Sequence, residues 1–246
     1  MSIAVTVSPM GSAKSPVHAS PIALGGTVLY STLEPDCAFY RINASTGDML
    51  WRYAAPRPAT TDPSGTRCGL RACARVSTDG RHIHIGTDNN TFIMLSADRG
   101  EMVWAKPEPY AVCVDKARPV AEQNRPCEVY STALLVGSLR IQGSEDGFVR
   151  AFREATGDLE WSVAVGAGCG GSDDLCHQVN GSPVLNPTNA SEIIIGADDG
   201  FLHCLVVASG EDCGRLATCG GMDTVRPCPL PRPTSPNLKS NQPRNS

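Results

Sequence analysis

Four copies of one pattern, each closing on a turn, constrain this chain more than any other feature. The turns are Thr46-Gly47, Arg99-Gly100, Thr156-Gly157 and Ser209-Gly210, and their glycines are 53, 57 and 53 residues apart. Eleven residues before each glycine begins a hairpin dipeptide: Asp36-Cys37, Asn89-Asn90, Asp146-Gly147 and Asp199-Gly200. Asp-Gly and Asn-Asn suit the positive φ angles of tight hairpins. Four residues after the glycine comes Trp51, Trp104 or Trp161, with Gly214 in the fourth copy. Before each hairpin lies a β-rich run: Val28-Leu29-Tyr30, His82 to Gly86, Leu139 to Gly143, and Ile193 to Gly196. One more short strand is expected earlier still, around Ala19-Ser20-Pro21, Ala72-Cys73-Ala74, Tyr130-Ser131-Thr132 and Gly181-Ser182-Pro183.

Four strands in such a repeat make a β-propeller blade. The expected fold is therefore all-β, with four four-stranded antiparallel blades at residues 17–53, 70–106, 129–165 and 179–218. Four blades of this size form half a ring and leave hydrophobic flanks uncovered. Further blades of a longer chain, a second subunit, or closure by these four alone would each resolve that. The loss of the motif at Gly214 favours a fragment of a longer chain. Residues 1–16 are expected to be flexible, and the proline-rich, polar segment 219–246 to be a disordered tail.

The spaced pattern G-x-D-G-x-hydrophobic-x-A-x-x-x-x-T-G-x-x-x-W resembles the repeat of the pyrroloquinoline-quinone-type (quinoprotein alcohol dehydrogenase-like) β-propellers, over about residues 17 to 218. The resemblance implies the blade and a ring of seven or eight such blades, of which these four would be a part. It carries no cofactor with it, because the dehydrogenases of that family set a pair of adjacent cysteines against the quinone, beside an acidic calcium site. No Cys-Cys dipeptide occurs here. The expectation is no bound quinone or calcium, and no dye-linked alcohol or sugar oxidation when both are added.

The formal net charge of −4 argues against a general nucleic-acid or anionic-membrane binder. No run of 18 apolar residues is present, and the short apolar stretch at the start is too brief for the core of a signal peptide. Eleven cysteines are many for a cytosolic propeller. Cys68 and Cys73, Cys113 and Cys127, and Cys169 and Cys176 each fall as one pair in equivalent inter-blade loops. Disulfides closing those loops are expected, with free buried thiols as the alternative. Cys204 and Cys213 flank the last turn and could also pair. Together with N-x-S/T sequons at Asn43, Asn89, Asn180 and Asn189, these cysteines point to a secretory lumen or the cell exterior.

No nucleophile–base motif, phosphate loop or H-E-x-x-H is present. The three Trp residues suit blade-to-blade packing better than quinone stacking. His82 and His84 share a strand face, which suits packing or solvation better than a metal pair. The expected function is a non-enzymatic scaffold that binds a protein or peptide. The alternatives are a divergent piece of a quinone-dependent dehydrogenase and a luminal sensor-type propeller. The hairpins and the long loops to the next blade should emerge on one face, where Arg67, Arg71, Lys116, Arg118, Asp173 and Asp174 are the candidate partner-binding residues.

Overall fold

The computed structural model describes residues 15–33, 35–55, 69–88, 91–107, 112–114, 124–126, 128–165 and 178–217. Blade 1 is the meander β1 (Ile22–Leu24), β2 (Thr27–Ser31), β3 (Ala38–Asn43) and β4 (Met49–Ala54). Blade 2 runs β5 (Arg75–Val76), β6 (His82–Gly86), β7 (Thr91–Ser96) and β8 (Met102–Pro107). A two-stranded ribbon follows, β9 (Val112–Val114) with β10 (Asn124–Pro126), inside a connection expected to be loop. Blade 3 is β11 (Leu134–Val136), β12 (Leu139–Gly143), β13 (Phe148–Arg153) and β14 (Leu159–Ala164). Blade 4 is β15 (Val184–Asn186), β16 (Asn189–Ala197), β17 (Phe201–Val206) and β18 (Asp212–Ala217). Every neighbouring pair within a blade is antiparallel.

The first strand of each blade starts later than expected, at Ile22, Arg75, Leu134 and Val184. The residues ahead of it form a lead-in that makes isolated backbone bonds to the second hairpin of its own blade. Examples are Leu33 N–H to Pro16 O at 2.9 Å, Asp88 N–H to Gly69 O at 3.0 Å and Glu145 N–H to Glu128 O at 3.1 Å. At Gly181 close approach demands the absence of a side chain. A Cβ on Gly181 would lie 2.7 Å from the carbonyl oxygen of Gly196.

All four blades share a register shift near the turn glycine, after Arg41, Met94, Ala151 and Cys204. The shift sets Trp51 opposite Arg41, Trp104 opposite Met94 and Trp161 opposite Ala151. Each indole is 8% exposed and lies on the turn glycine of the following blade. A Cβ on Gly100, Gly157 or Gly210 would stand 2.6 or 2.7 Å from indole carbons, and all three glycines have φ near +70°. Steric room and backbone conformation thus both require glycine. Each indole N–H donates to a carbonyl of that next blade: Trp51 to Ala97 at 3.0 Å, Trp104 to Glu154 at 3.0 Å and Trp161 to Val207 at 2.9 Å.

The three inter-blade cores differ. Leu29, Phe39, Ile83, Ile85, Ile93 and Leu95 fill the first, and Ile141, Val149, Ile193, Ile195 and Leu205 fill the third. The middle one combines Phe92, Met94, Trp104 and Phe152 with polar groups. Arg140, fully buried, stacks 4.8 Å from the Phe92 centroid and 5.6 Å from that of Trp104. It donates to Ile85 O at 3.2 Å and to Gln142 Oε1. Burial pulls its pKa down to about 9.

The fourth blade lacks the lock. Gly214 occupies the tryptophan position, β18 is exposed along its whole length, and a Cys204–Cys213 disulfide stands where the indole would lie. The expected Cys68–Cys73 bridge is not formed. Cys73 is a free thiol whose sulfur points back at blade 1, accepting the Ser20 N–H at 3.4 Å. Cys37, the hairpin residue at φ +51°, is instead disulfide-bonded. Cys68, Cys127, Cys169 and Cys176 lie outside the described residues. Cys113 lies in β9 opposite Arg125.

Candidate partner-binding face

In an antiparallel meander, the β2–β3 hairpin and the connection to the next blade share one end. Two bonds confirm the placement: Ala55 N–H to Cys37 O and Val165 N–H to Gly147 O, both 2.9 Å, tie outgoing chain to hairpin. The opposite end carries the turns between the first two strands of each blade, such as Leu24 to Thr27, and the short turns at the repeat glycines. Two of the latter close on themselves through Thr46 Oγ1 to Asp48 at 2.6 Å and Thr156 Oγ1 to Asp158 at 2.7 Å.

Each hairpin carboxylate is held by a donor close in sequence. Asp36 accepts from Tyr40 OH at 2.6 Å, Thr32 Oγ1 at 2.7 Å and Arg52 at 2.8 Å. Burial opposes the charge, but these bonds outweigh it and hold the Asp36 pKa below the usual range. Asp146 pairs with Arg150 at 2.7 Å, and Asp199 with His203 at 2.9 Å. Asp146 Oδ1 and Asp199 Oδ1 also accept the N–H two residues on, closing Asx turns. Asp198 sits beside Asp199, and burial first and that neighbour second raise its pKa.

The densest cluster joins blades 2 and 3. Arg71 Nη1 lies 2.6 Å from Glu128 Oε2, 3.4 Å from Asp88 Oδ2 and 3.1 Å from Tyr130 OH. Tyr130 donates its hydroxyl to Glu128, and Glu145 Oε2 accepts the Glu128 N–H at 2.8 Å. Asp88, Glu128 and Glu145 are all buried. Gly69 makes space for the first, since a Cβ there would stand 1.9 Å from Asp88 Oδ2. Burial alone would lower the Arg71 pKa, but Asp88 and Glu128 raise it well beyond its ordinary value. Burial, then the bond to Glu128, raises that of Tyr130.

Arg71, taken from the sequence as a surface charge, is thus a half-buried tie between two blades. Arg67, Lys116, Arg118, Asp173 and Asp174 lie outside the described residues. Sequence reasoning missed Asp88, Glu128, Glu145 and Tyr130. The available signal was the alignment of the lead-ins, in which Glu128 takes the place of Gly69 and Gln178.

The tryptophans do not fit a quinone-stacking role, since each indole is enclosed against the next blade with its N–H committed. His84 is turned into the blade 2–3 interface, fully buried, with Nε2 3.1 Å from Glu154 Oε1. Burial, then Arg140, pulls its pKa down to about 3, while burial raises that of Glu154. The folded state therefore holds His84 neutral, whereas the unfolded chain protonates it below about pH 6.5. Stability should fall as pH drops from 6.5 towards 3, and His84→Gln should flatten that limb in urea titrations. An unchanged limb in the variant would assign the acid sensitivity elsewhere.

The profile of the family described as outer membrane protein assembly factor BamB matches residues 6–218. The chain is 28% identical over 120 residues to the quinohemoprotein alcohol dehydrogenase ADH IIB of Pseudomonas putida, spanning 49% of this chain and 16% of that protein. It is 26% identical over 143 residues to the dehydrogenase subunit of the quinone alcohol dehydrogenase of Gluconobacter oxydans (strain 621H), spanning 58% of this chain and 18% of that protein. The chain thus spans less than a fifth of these relatives. The crystal structure of the quinohemoprotein alcohol dehydrogenase of Comamonas testosteroni superposes with a TM-score of 0.56 at 14% identity, covering 82% of this chain and 35% of that one. At that identity the likeness concerns the fold.

Proposed function

Because the chain belongs to the PQQ-repeat family whose profile is described as outer membrane protein assembly factor BamB, we propose that it is a non-enzymatic propeller scaffold whose long-loop face binds a protein or peptide. The observation that carries this reading is the asymmetry of the two faces. Among the described residues, one end carries short turns, of which Thr46-Gly47 and Thr156-Gly157 close on themselves, and the other carries braced acids at the hairpins where each blade hands on to the next. Rigid scaffold plus long loops is the usual anatomy of a recognition surface. The family description, an assembly factor, favours a protein partner over a small substrate.

A quinone has no place in this reading. The indoles serve packing, the hairpin acids are engaged by Arg52, Arg71, Arg150 and His203, and no adjacent cysteine pair exists. The Cys204–Cys213 bridge and the four sequons favour a secretory lumen or the cell exterior.

The test is a pull-down with the full chain and face-specific variants. Arg67→Glu and Lys116→Glu should weaken whatever partner the wild type captures, while Asp48→Lys and Asp158→Lys should not. Equal losses from both faces, or none from the first, would remove the assignment. Arg71 is left out of this set because its reversal would disturb the fold.

A further inference from the structure

On the outer flank of blade 4, the register gives Cys204 the place of Arg41, Met94 and Ala151, and sets it opposite Gly214 rather than a tryptophan. Cys213, next to Gly214, is joined to it by the disulfide. Glu192 on β16 lies on the same side, diagonal to Cys204 across the β16–β17 pair, with Oε2 3.5 Å from Cys204 Sγ. One donor atom from each of Glu192, Cys204 and Cys213 falls within 4.8 Å of the others. The carboxylate is oriented independently of the sulfurs. Asn186 Nδ2 donates to Oε2 and Asn189 Nδ2 to Oε1, each at 2.7 Å, from the hairpin that precedes Glu192.

Once reduced, Cys204 and Cys213 would offer two thiolates beside the Glu192 carboxylate at a partly exposed surface, the donor set of a tetrahedral zinc site with its fourth position open to water. The two asparagines stand where outer partners of a metal-bound carboxylate stand. We propose that reduction of Cys204–Cys213 converts this flank into a Zn²⁺ site made of Cys204, Cys213 and Glu192. A dithiol reductant supplies two electrons and two protons, becoming a disulfide itself while the S–S bond of the protein breaks into two thiols. Zn²⁺ then displaces the two thiol protons to solvent and bonds both sulfurs and one Glu192 oxygen. The exchange keeps β18 clamped to β17 in either redox state. That strand has no following blade against it among the described residues.

The test uses the full chain with Co²⁺ as a spectroscopic probe and Zn²⁺ as competitor. Because Cys73 and other cysteines also offer sulfur, the informative quantity is the difference between variants. The reduced wild type should show thiolate-to-cobalt charge-transfer absorption that Zn²⁺ abolishes. The oxidised chain and the reduced Cys204→Ser/Cys213→Ser variant should lack the contribution of one two-thiolate site. Glu192→Gln, which leaves every cysteine in place, should weaken binding, and Asn189→Ala should weaken it about tenfold. Reduced Cys204→Ser/Cys213→Ser absorbing as strongly as wild type, the oxidised chain binding equally well, or undiminished affinity in Glu192→Gln would each overturn the proposal.

Discussion

Trp104→Ala should cost the fold about 4 kcal/mol, read as a lower midpoint in urea denaturation. The indole fills the middle inter-blade core beside Phe92, Met94 and Phe152, lies on Gly157 and stacks under the Arg140 guanidinium. Its removal leaves a cavity, uncovers a buried cation and strands the Glu154 carbonyl. Trp104→Phe restores most of the volume and loses chiefly the N–H bond, so it should cost about 1 kcal/mol. Alanine at Met102, an exposed neighbour on the same strand, should have little effect. Equal costs for Trp104→Ala and Met102→Ala would mean that the tryptophan-on-glycine contact does not hold the blades together.

Arg71→Ala should cost about 3 kcal/mol near neutral pH, because it removes a cation 2.6 Å from the buried Glu128 carboxylate and 3.4 Å from that of Asp88. Arg71→Lys should recover only part, since one ammonium cannot reproduce the contacts with Glu128, Asp88 and Tyr130 together. A change below about 0.5 kcal/mol at neutral pH would reassign Arg71 to the solvent-exposed surface, where single charges matter little.

The fold was legible because each blade signals itself at several spaced points. The turn glycine needs both positive φ and space for an indole, and the tryptophan needs that glycine, so the two recur together. What lies between blades was legible only in part. Arg140 and Gln142 occupy strand positions filled by Ile83 and Ile85 in blade 2 and by Ile193 and Ile195 in blade 4. A period-2 pattern cannot reveal that a charged residue is buried under rings of the preceding blade. The Arg71 tie spans 57 residues to Glu128, and nothing local in either segment announces it. Pairing cysteines by loop equivalence failed at Cys73 because proximity in sequence says nothing of direction, and its sulfur faces Ser20 of the preceding blade.

A partner held by this scaffold should meet the hairpin end of the blades. Hydrogen–deuterium exchange on the full chain, alone and with the partner recovered in the pull-down, tests this directly. Protection should gather in the hairpins between β2 and β3, β6 and β7, β12 and β13, and β16 and β17, and in the connections that follow each blade. The Thr46-Gly47 and Thr156-Gly157 turns should exchange unchanged. Protection confined to those turns, with the hairpins unaffected, would contradict it.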